Sequence, residues 1–90
     1  MTNDNSILIE ECCRHYSIET SFVRTLNDQG LIELSYINES YFIHNDQLSL
    51  LEKYMHLHYD LDINMEGIEA ISHLLEKIEK LQAELRLLKG

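Results

Sequence analysis

Glu19-Thr20-Ser21-Phe22-Val23-Arg24-Thr25-Leu26-Asn27-Asp28-Gln29-Gly30-Leu31-Ile32-Glu33 is the stretch whose reading decides the fold. Phe22, Val23 and Leu26 fall on one side at helical spacing, and Gly30 stands where a C-cap glycine ends a helix. The spacing predicts a helix over 19–29. From Leu31 the residues become β-branched and aromatic, which marks a change to extended structure.

Upstream, Ser6 is a plausible N-cap for a helix over 7–15, with Ile9, Cys12, Cys13 and Tyr16 at spacings of three and four. A turn at Tyr16-Ser17-Ile18 joins it to the second helix, and two short helices joined this way form a helix-turn-helix unit. Downstream, Leu31-Ile32-Glu33-Leu34 and Ser40-Tyr41-Phe42-Ile43 predict a small hairpin, or wing, that turns within Tyr36-Ile37-Asn38-Glu39. Asn45-Asp46 then caps a third helix over 47–59, with Leu48, Leu51, Met55 and His58 on one stripe and Leu50, Tyr54 and Leu57 beside it. Asp60 to Ile63 breaks the pattern, and Asn64 starts a long last helix running to about Lys89. The expected class is mainly α, arranged as a disordered start at 1–6, a winged helix-turn-helix domain at 7–63 and a long amphipathic helix at 64–90.

That last helix carries Ile71, Leu74, Ile78, Leu81, Leu85 and Leu88, which alternate spacings of three and four without a miss. The pattern is the a/d signature of a coiled coil, extending over about two and a half heptads. It makes these six residues the candidate seam of a homodimer; the alternative is a helix packed on its own domain.

Charge contradicts the layout of the head. The 90 residues carry a formal charge of -9, and residues 7–45 hold six acids against two arginines. Duplex DNA is bound first through its phosphates by Lys and Arg, so such a surface repels nucleic acid. The second helix offers one base, Arg24, beside Glu19 and Asp28, and the wing has two acids and no base. Between Lys53 and Lys77 lie Asp60, Asp62, Glu66, Glu69 and Glu76 with no base among them. Asp60, Asp62, Glu66 and Glu69 are the candidate contacts for a basic protein partner.

Other chemistry is thinly represented. His56 and His58 are two apart and diverge on a helix, so they make no i,i+4 chelating pair, and no metal site is expected. Asp60-Leu61-Asp62-Ile63-Asn64 copies the first ligands of a calcium loop, but Met65 and Ile71 occupy the positions that need glycine and glutamate. Adjacent Cys12 and Cys13 suit neither a disulfide nor a zinc pair and read as reduced thiols. No nucleophile, base and orienting group come together, so neither an enzyme nor a cofactor is expected. The start has no basic n-region or apolar h-region, and no apolar run reaches the roughly 18 residues of a membrane span, so a cytoplasmic protein is expected.

Two resemblances follow from these residues. Arg24-Thr25-Leu26-Asn27-Asp28-Gln29-Gly30-Leu31 resembles the corresponding run of the MerR-type winged helix in its arginine, glycine and leucine, while Ser40 and Phe42 stand in the wing where an arginine and a tyrosine occur. The chain is similar over more of its length to the chaperone-modulator family CbpM, MerR-like proteins. The similarity lies at Ile9-x-Glu11-x-Cys13-x-His15, Gly30-Leu31-Ile32-Glu33, Gly67-Ile68 and Ile78-x-x-Leu81-x-x-Glu84-x-Arg86-Leu87-Leu88. That resemblance implies binding to the J-domain of a DnaJ/CbpA-like co-chaperone and inhibition of its stimulation of DnaK. A MerR-like transcriptional regulator acting as a dimer on DNA or on another regulator is the alternative it leaves.

Overall fold

A computed structural model describes residues 5–89. The chain runs β1 (Ser6–Leu8), α1 (Ile9–Tyr16), α2 (Thr20–Asp28), β2 (Leu34–Ile37), β3 (Ser40–His44), a 3₁₀ turn (Asn45–Gln47), α3 (Leu48–Met55), a π-helical turn (His56–Asp60) and α4 (Met65–Lys89). The three strands form one antiparallel sheet in the order β1-β3-β2. This is the expected mainly α winged helix-turn-helix followed by a long helix.

Both helices of the helix-turn-helix end in the same way. Ser17 takes a left-handed φ of 60°, and the Ile18 N–H donates to the Cys13 carbonyl at 2.9 Å. Gly30 takes φ 76°, and the Leu31 N–H donates to the Leu26 carbonyl at 2.9 Å. This six-to-one bond ties up a carbonyl that the helix end leaves open, and it turns the next apolar residue back onto the helix. Leu31 is accordingly buried, and Ile18 packs against the core.

The start and the wing differ from the sequence reading. Ser6 caps no helix: Ser6, Ile7 and Leu8 pair with His44, Ile43 and Phe42 as the third strand, and α1 begins at Ile9 without a side-chain cap. Asn5 and Ser6, expected in the disordered start, are instead held: the Asn45 N–H donates to the Asn5 carbonyl at 2.6 Å and Ser6 pairs with His44, while residues 1–4 lie outside the described residues. An edge strand gains its partner only when β3 folds beside it, so local helical spacing carried Ile7 and Leu8 the wrong way. In the wing, β2 starts at Leu34 rather than Leu31. Leu31 and Ile32 are core residues in a connecting segment, whose following N–H groups are satisfied by side chains: Glu33 donates to Gln47 Oε1 at 2.9 Å and Leu34 to Asn27 Oδ1 at 3.2 Å. Asn38 and Glu39 make the tight turn with φ 51° and 63°, the doubly left-handed geometry of a two-residue hairpin loop.

Ile9, Val23, Leu26, Ile43, Leu51 and Ile68 form the centre of the core and draw on α1, α2, β3, α3 and α4. On the sheet, Ile7, Leu34 and Ile43 share the core-facing side, and alternation puts Leu8, Ile37 and Phe42 on the other.

The expected third helix is divided. After Met55 the chain widens into a π turn, with the Leu61 N–H reaching the His56 carbonyl at 3.2 Å. His58 stacks on Phe22 of α2 at 4.8 Å with rings 16° apart, and Tyr59 meets the same ring edge-on at 5.2 Å. The His58 ring also bonds through Nδ1 to the Ile63 carbonyl at 2.9 Å. A carbonyl only accepts, so Nδ1 carries the proton.

Asn64 caps α4 as expected, its Oδ1 accepting from the Gly67 N–H at 2.8 Å. A Cβ on Gly67 would sit 2.7 Å from Ile63 Cγ2 and 3.2 Å from Asn64 Oδ1, so the bare glycine permits the close approach of the cap. Ile68 and Ser72 then bury against the head, and the remainder of α4 projects. The radius of gyration, 15.3 Å, exceeds the roughly 12 Å of a compact chain of this length.

Glu39 occupies a left-handed position that glycine fills without steric cost. Glu39→Gly is expected to stabilise the fold by about 0.5–1 kcal/mol, after the extra freedom of the unfolded chain is deducted. Urea unfolding should show a higher midpoint at unchanged slope.

Candidate functional site

The face that a helix-turn-helix turns to DNA is built here from the wrong groups. Glu19, Ser21, Arg24 and Asp28 are its exposed residues on or beside α2. The one base among them is Arg24, whose exposed guanidinium lies over the Tyr41 ring of the wing, 4.9 Å from its centroid. Tyr36 extends the stack, its ring 4.7 Å from that of Tyr41. Tyr36 is 62% exposed and Ile37 50%, so the outer wing presents aromatic and apolar surface, with Glu33 and Glu39 as its only charges.

The four acids singled out in the sequence occupy different local structures. Asp60 ends the π turn and accepts from His56 Nδ1 at 2.8 Å; Asp62 follows in a left-handed conformation, φ 58°. Glu66 is exposed in the first turn of α4, and Glu69 is half-buried one turn later. Asp60 lines a cavity of about 280 Å³ together with Glu52, Tyr16, Met55 and Tyr59, and the other three acids are not part of its wall.

Glu52, Tyr16 and Tyr59 were not legible as site residues. The Tyr16 hydroxyl donates to Glu52 Oε2 at 2.7 Å across 36 residues of sequence, tying α1 to α3. The Tyr59 hydroxyl accepts from the Glu19 N–H at 3.4 Å and so reaches the start of α2. No local spacing reports either link.

Tyr16 lines a second cavity of about 320 Å³ whose wall is mainly apolar, with Ile7, Cys12 and Leu48 joined by the exposed Glu11 and His15. The thiols themselves are quiet. Both are free and buried, and burial raises Cys12; burial, then neighbouring Cys12 and Glu10, push Cys13 up to about 11. A thiol held protonated at neutral pH is a poor nucleophile and a poor metal ligand. Among the described residues no group of three or more His, Cys, Asp or Glu side chains is placed to hold a metal ion, and His56 and His58 make separate contacts, to Asp60 and Ile63.

α4 presents two distinct faces. Ile68, Ser72 and Leu75 line the side turned to the head. Leu74, Ile78, Leu81, Leu85 and Leu88 lie roughly 120° round the helix at 100° per residue. They are 49% to 84% exposed, and only Ile71, where the stripe meets the head, is half-buried. The stripe is therefore not packed on its own domain. Among the described residues no helix is long and apolar enough to cross a membrane.

The chain is thus a helix-turn-helix with a hairpin wing and a projecting last helix. The family described as MerR HTH family regulatory protein matches residues 7–90. This chain belongs to the MerR HTH family. No curated protein and no solved structure matches it. Within this MerR HTH chain the match covers the head and α4 alike, so the long helix belongs to the family pattern and is not an appendage to it. Its acidic charge and the cavities flanking Tyr16 are the features that bear on what it could bind.

The hydrogen bond to Glu52, reinforced by burial, holds the Tyr16 hydroxyl protonated, pushed up to about 12. For Tyr16 and both thiols the folded-state value is raised, so their contribution to stability is complete below the ordinary values of 9 and 10 and is lost as pH rises toward 12. Stability measured by urea unfolding should be level in this respect up to pH 9 and fall between pH 9 and 12. Tyr16→Phe is expected to cost about 1 kcal/mol at pH 7, after allowance for solvent screening, and to remove part of the loss above pH 10.

Proposed function

We propose that this MerR HTH protein is a chaperone modulator of the CbpM type: a non-enzymatic adaptor that binds the J-domain of a DnaJ/CbpA-like co-chaperone and inhibits its stimulation of DnaK. The observation that carries the reading is the inverted charge of a DNA-binding shape. The second helix has one base, which is engaged by Tyr41, and the wing has none, while acids run unopposed from Asp60 to Glu76. A J-domain docks on DnaK through a basic helix, and an acidic surface complementary to that helix would compete for it. Charge complementarity speeds encounter and fixes register, and a few apolar anchors hold the complex.

Self-association through α4 is part of the proposal. The exposed stripe from Leu74 to Leu88 lies on a helix segment with no support from the head, and an isolated helix of this length is marginal in water. Pairing two copies along Ile71, Leu74, Ile78, Leu81, Leu85 and Leu88 would cover it. The second reading, a dimeric regulator acting on DNA or through another regulator, is favoured by family membership and by the intact helix-turn-helix.

Three measurements separate these possibilities. Asp60→Lys with Glu66→Lys is expected to slow association with a purified J-domain, and added salt to slow it further for the wild type; unchanged rates in both would remove the acids from the account. Duplex DNA titrated at low salt should give a flat anisotropy trace, whereas salt-sensitive binding would support the regulator. Leu81→Asp with Leu88→Asp should convert a dimer to a monomer in analytical ultracentrifugation. A wild type that stays monomeric at high concentration would rule out the seam.

A further inference from the structure

Tyr16 divides the surface between α1 and α3 into two sockets of different chemistry. On one side is the mainly apolar cavity walled by Ile7, Cys12 and Leu48 with Glu11 and His15 at its edge, and on the other the cavity holding Glu52, Met55, His56, Tyr59 and Asp60. Their α3-side walls are Leu48, Glu52 and Met55, at spacings of four and three, continued by Tyr59 of the π turn. At 1.5 Å per residue the centres of the two sockets are roughly 10–14 Å apart along the helix, the span of two residues about two turns apart on a facing helix.

The second socket has the groups that receive a cation. Glu52 uses Oε2 to accept from Tyr16, and Asp60 uses Oδ2 to meet His56, which leaves one oxygen of each carboxylate for another donor. Tyr59 is 42% exposed at its rim, and tyrosine faces attract ammonium and guanidinium groups. Lys53, the lysine of α3, lines a different cavity with Leu50, Tyr54 and Glu76.

The geometry points to the α1–α3 groove as the docking surface for an amphipathic basic helix of a partner protein, with an apolar side chain entering the Ile7/Leu48 socket and a lysine or arginine about seven residues away entering the Glu52/Asp60 socket. This rests on the reading of the chain as an adaptor for a basic partner and deepens it. It places the contact at Glu52 and Asp60 flanking Tyr16, with Asp62 and Glu69 outside. A helix laid in a groove takes its affinity from such spaced anchors.

The test uses the isotopically labelled full chain in two-dimensional NMR, titrated with a purified J-domain of a DnaJ-like protein. A synthetic helical peptide with leucine and lysine at i and i+7, and its glutamate-for-lysine counterpart, are titrated separately. Shift changes centred on Ile7, Tyr16, Leu48 and Tyr59 are expected with the J-domain and the lysine peptide and not with the glutamate peptide. Glu52→Lys with Asp60→Lys, both at exposed positions, should weaken J-domain binding about tenfold or more, while the equal charge change Asp62→Lys with Glu69→Lys should weaken it less than about threefold. Spectral dispersion of each variant reports that it folds. Equal weakening by the two pairs, or shift changes elsewhere on the labelled chain when the J-domain binds, overturns the groove and leaves the adaptor reading standing. Groove shifts with the lysine peptide and none with the J-domain support the groove and remove the proposed co-chaperone. No shifts with either probe overturn both.

Discussion

The contact on which the C-terminal half depends is the one His58 makes with two parts of the chain at once. Its ring stacks on Phe22 of α2, and its Nδ1–H donates to the Ile63 carbonyl just before α4 begins. The first contact anchors the π turn to the helix-turn-helix, and the second fixes the chain that leads into α4. Asn64 and Gly67 then close the cap, and Ile68 and Ser72 bury against the head. The direction in which the leucine stripe faces is set here, since rotating α4 at its start would turn the same residues toward the core. π turns recur where a helix must redirect side chains, and this one brings both His58 and Tyr59 onto Phe22.

Electrostatics and packing act together on the head. An arginine on a helix that would approach DNA is useful only if it is free to reach phosphate or base edges. Arg24 instead covers Tyr41, and Tyr36 continues the stack outward. The wing presents tyrosines and serines, with Ile37 beside the Asn38-Glu39 turn at its tip. On the opposite flank, α1 and α3 are joined by the Tyr16 to Glu52 hydrogen bond, which brings a carboxylate between two tyrosines and beside Asp60. The same bond makes Tyr16 a shared wall of two cavities, so one side chain organises both stability and the shape of the groove.

Much of the fold was legible because it rests on local rules. The second helix ends at Gly30 because a left-handed C′ position suits glycine, and α4 starts at Asn64 because its side chain caps the third N–H of the helix. The order of helices, wing and long helix follows from spacing alone. The misreadings share a cause. Ile7 and Leu8 have helical spacing with Ile9 and Cys12, but pairing with β3 overrides it; Leu31 and Ile32 have the composition of a strand, but they are drawn into the core as a connection. In both cases a partner distant in sequence supplied the decisive energy.

The sequence by itself determined the class of fold, the charge contradiction between shape and surface, and the stripe from Ile71 to Leu88, since each depends on residue type at short, regular spacing. Only the tertiary structure decided where those features point. It showed that the stripe faces away from the head, that Arg24 lies over Tyr41, and that Asp60 shares a cavity with Glu52 and Tyr16 rather than with Asp62, Glu66 and Glu69. The physical reason is that a cavity is made by side chains from helices folded against each other, and 36 residues separate the two that define this one.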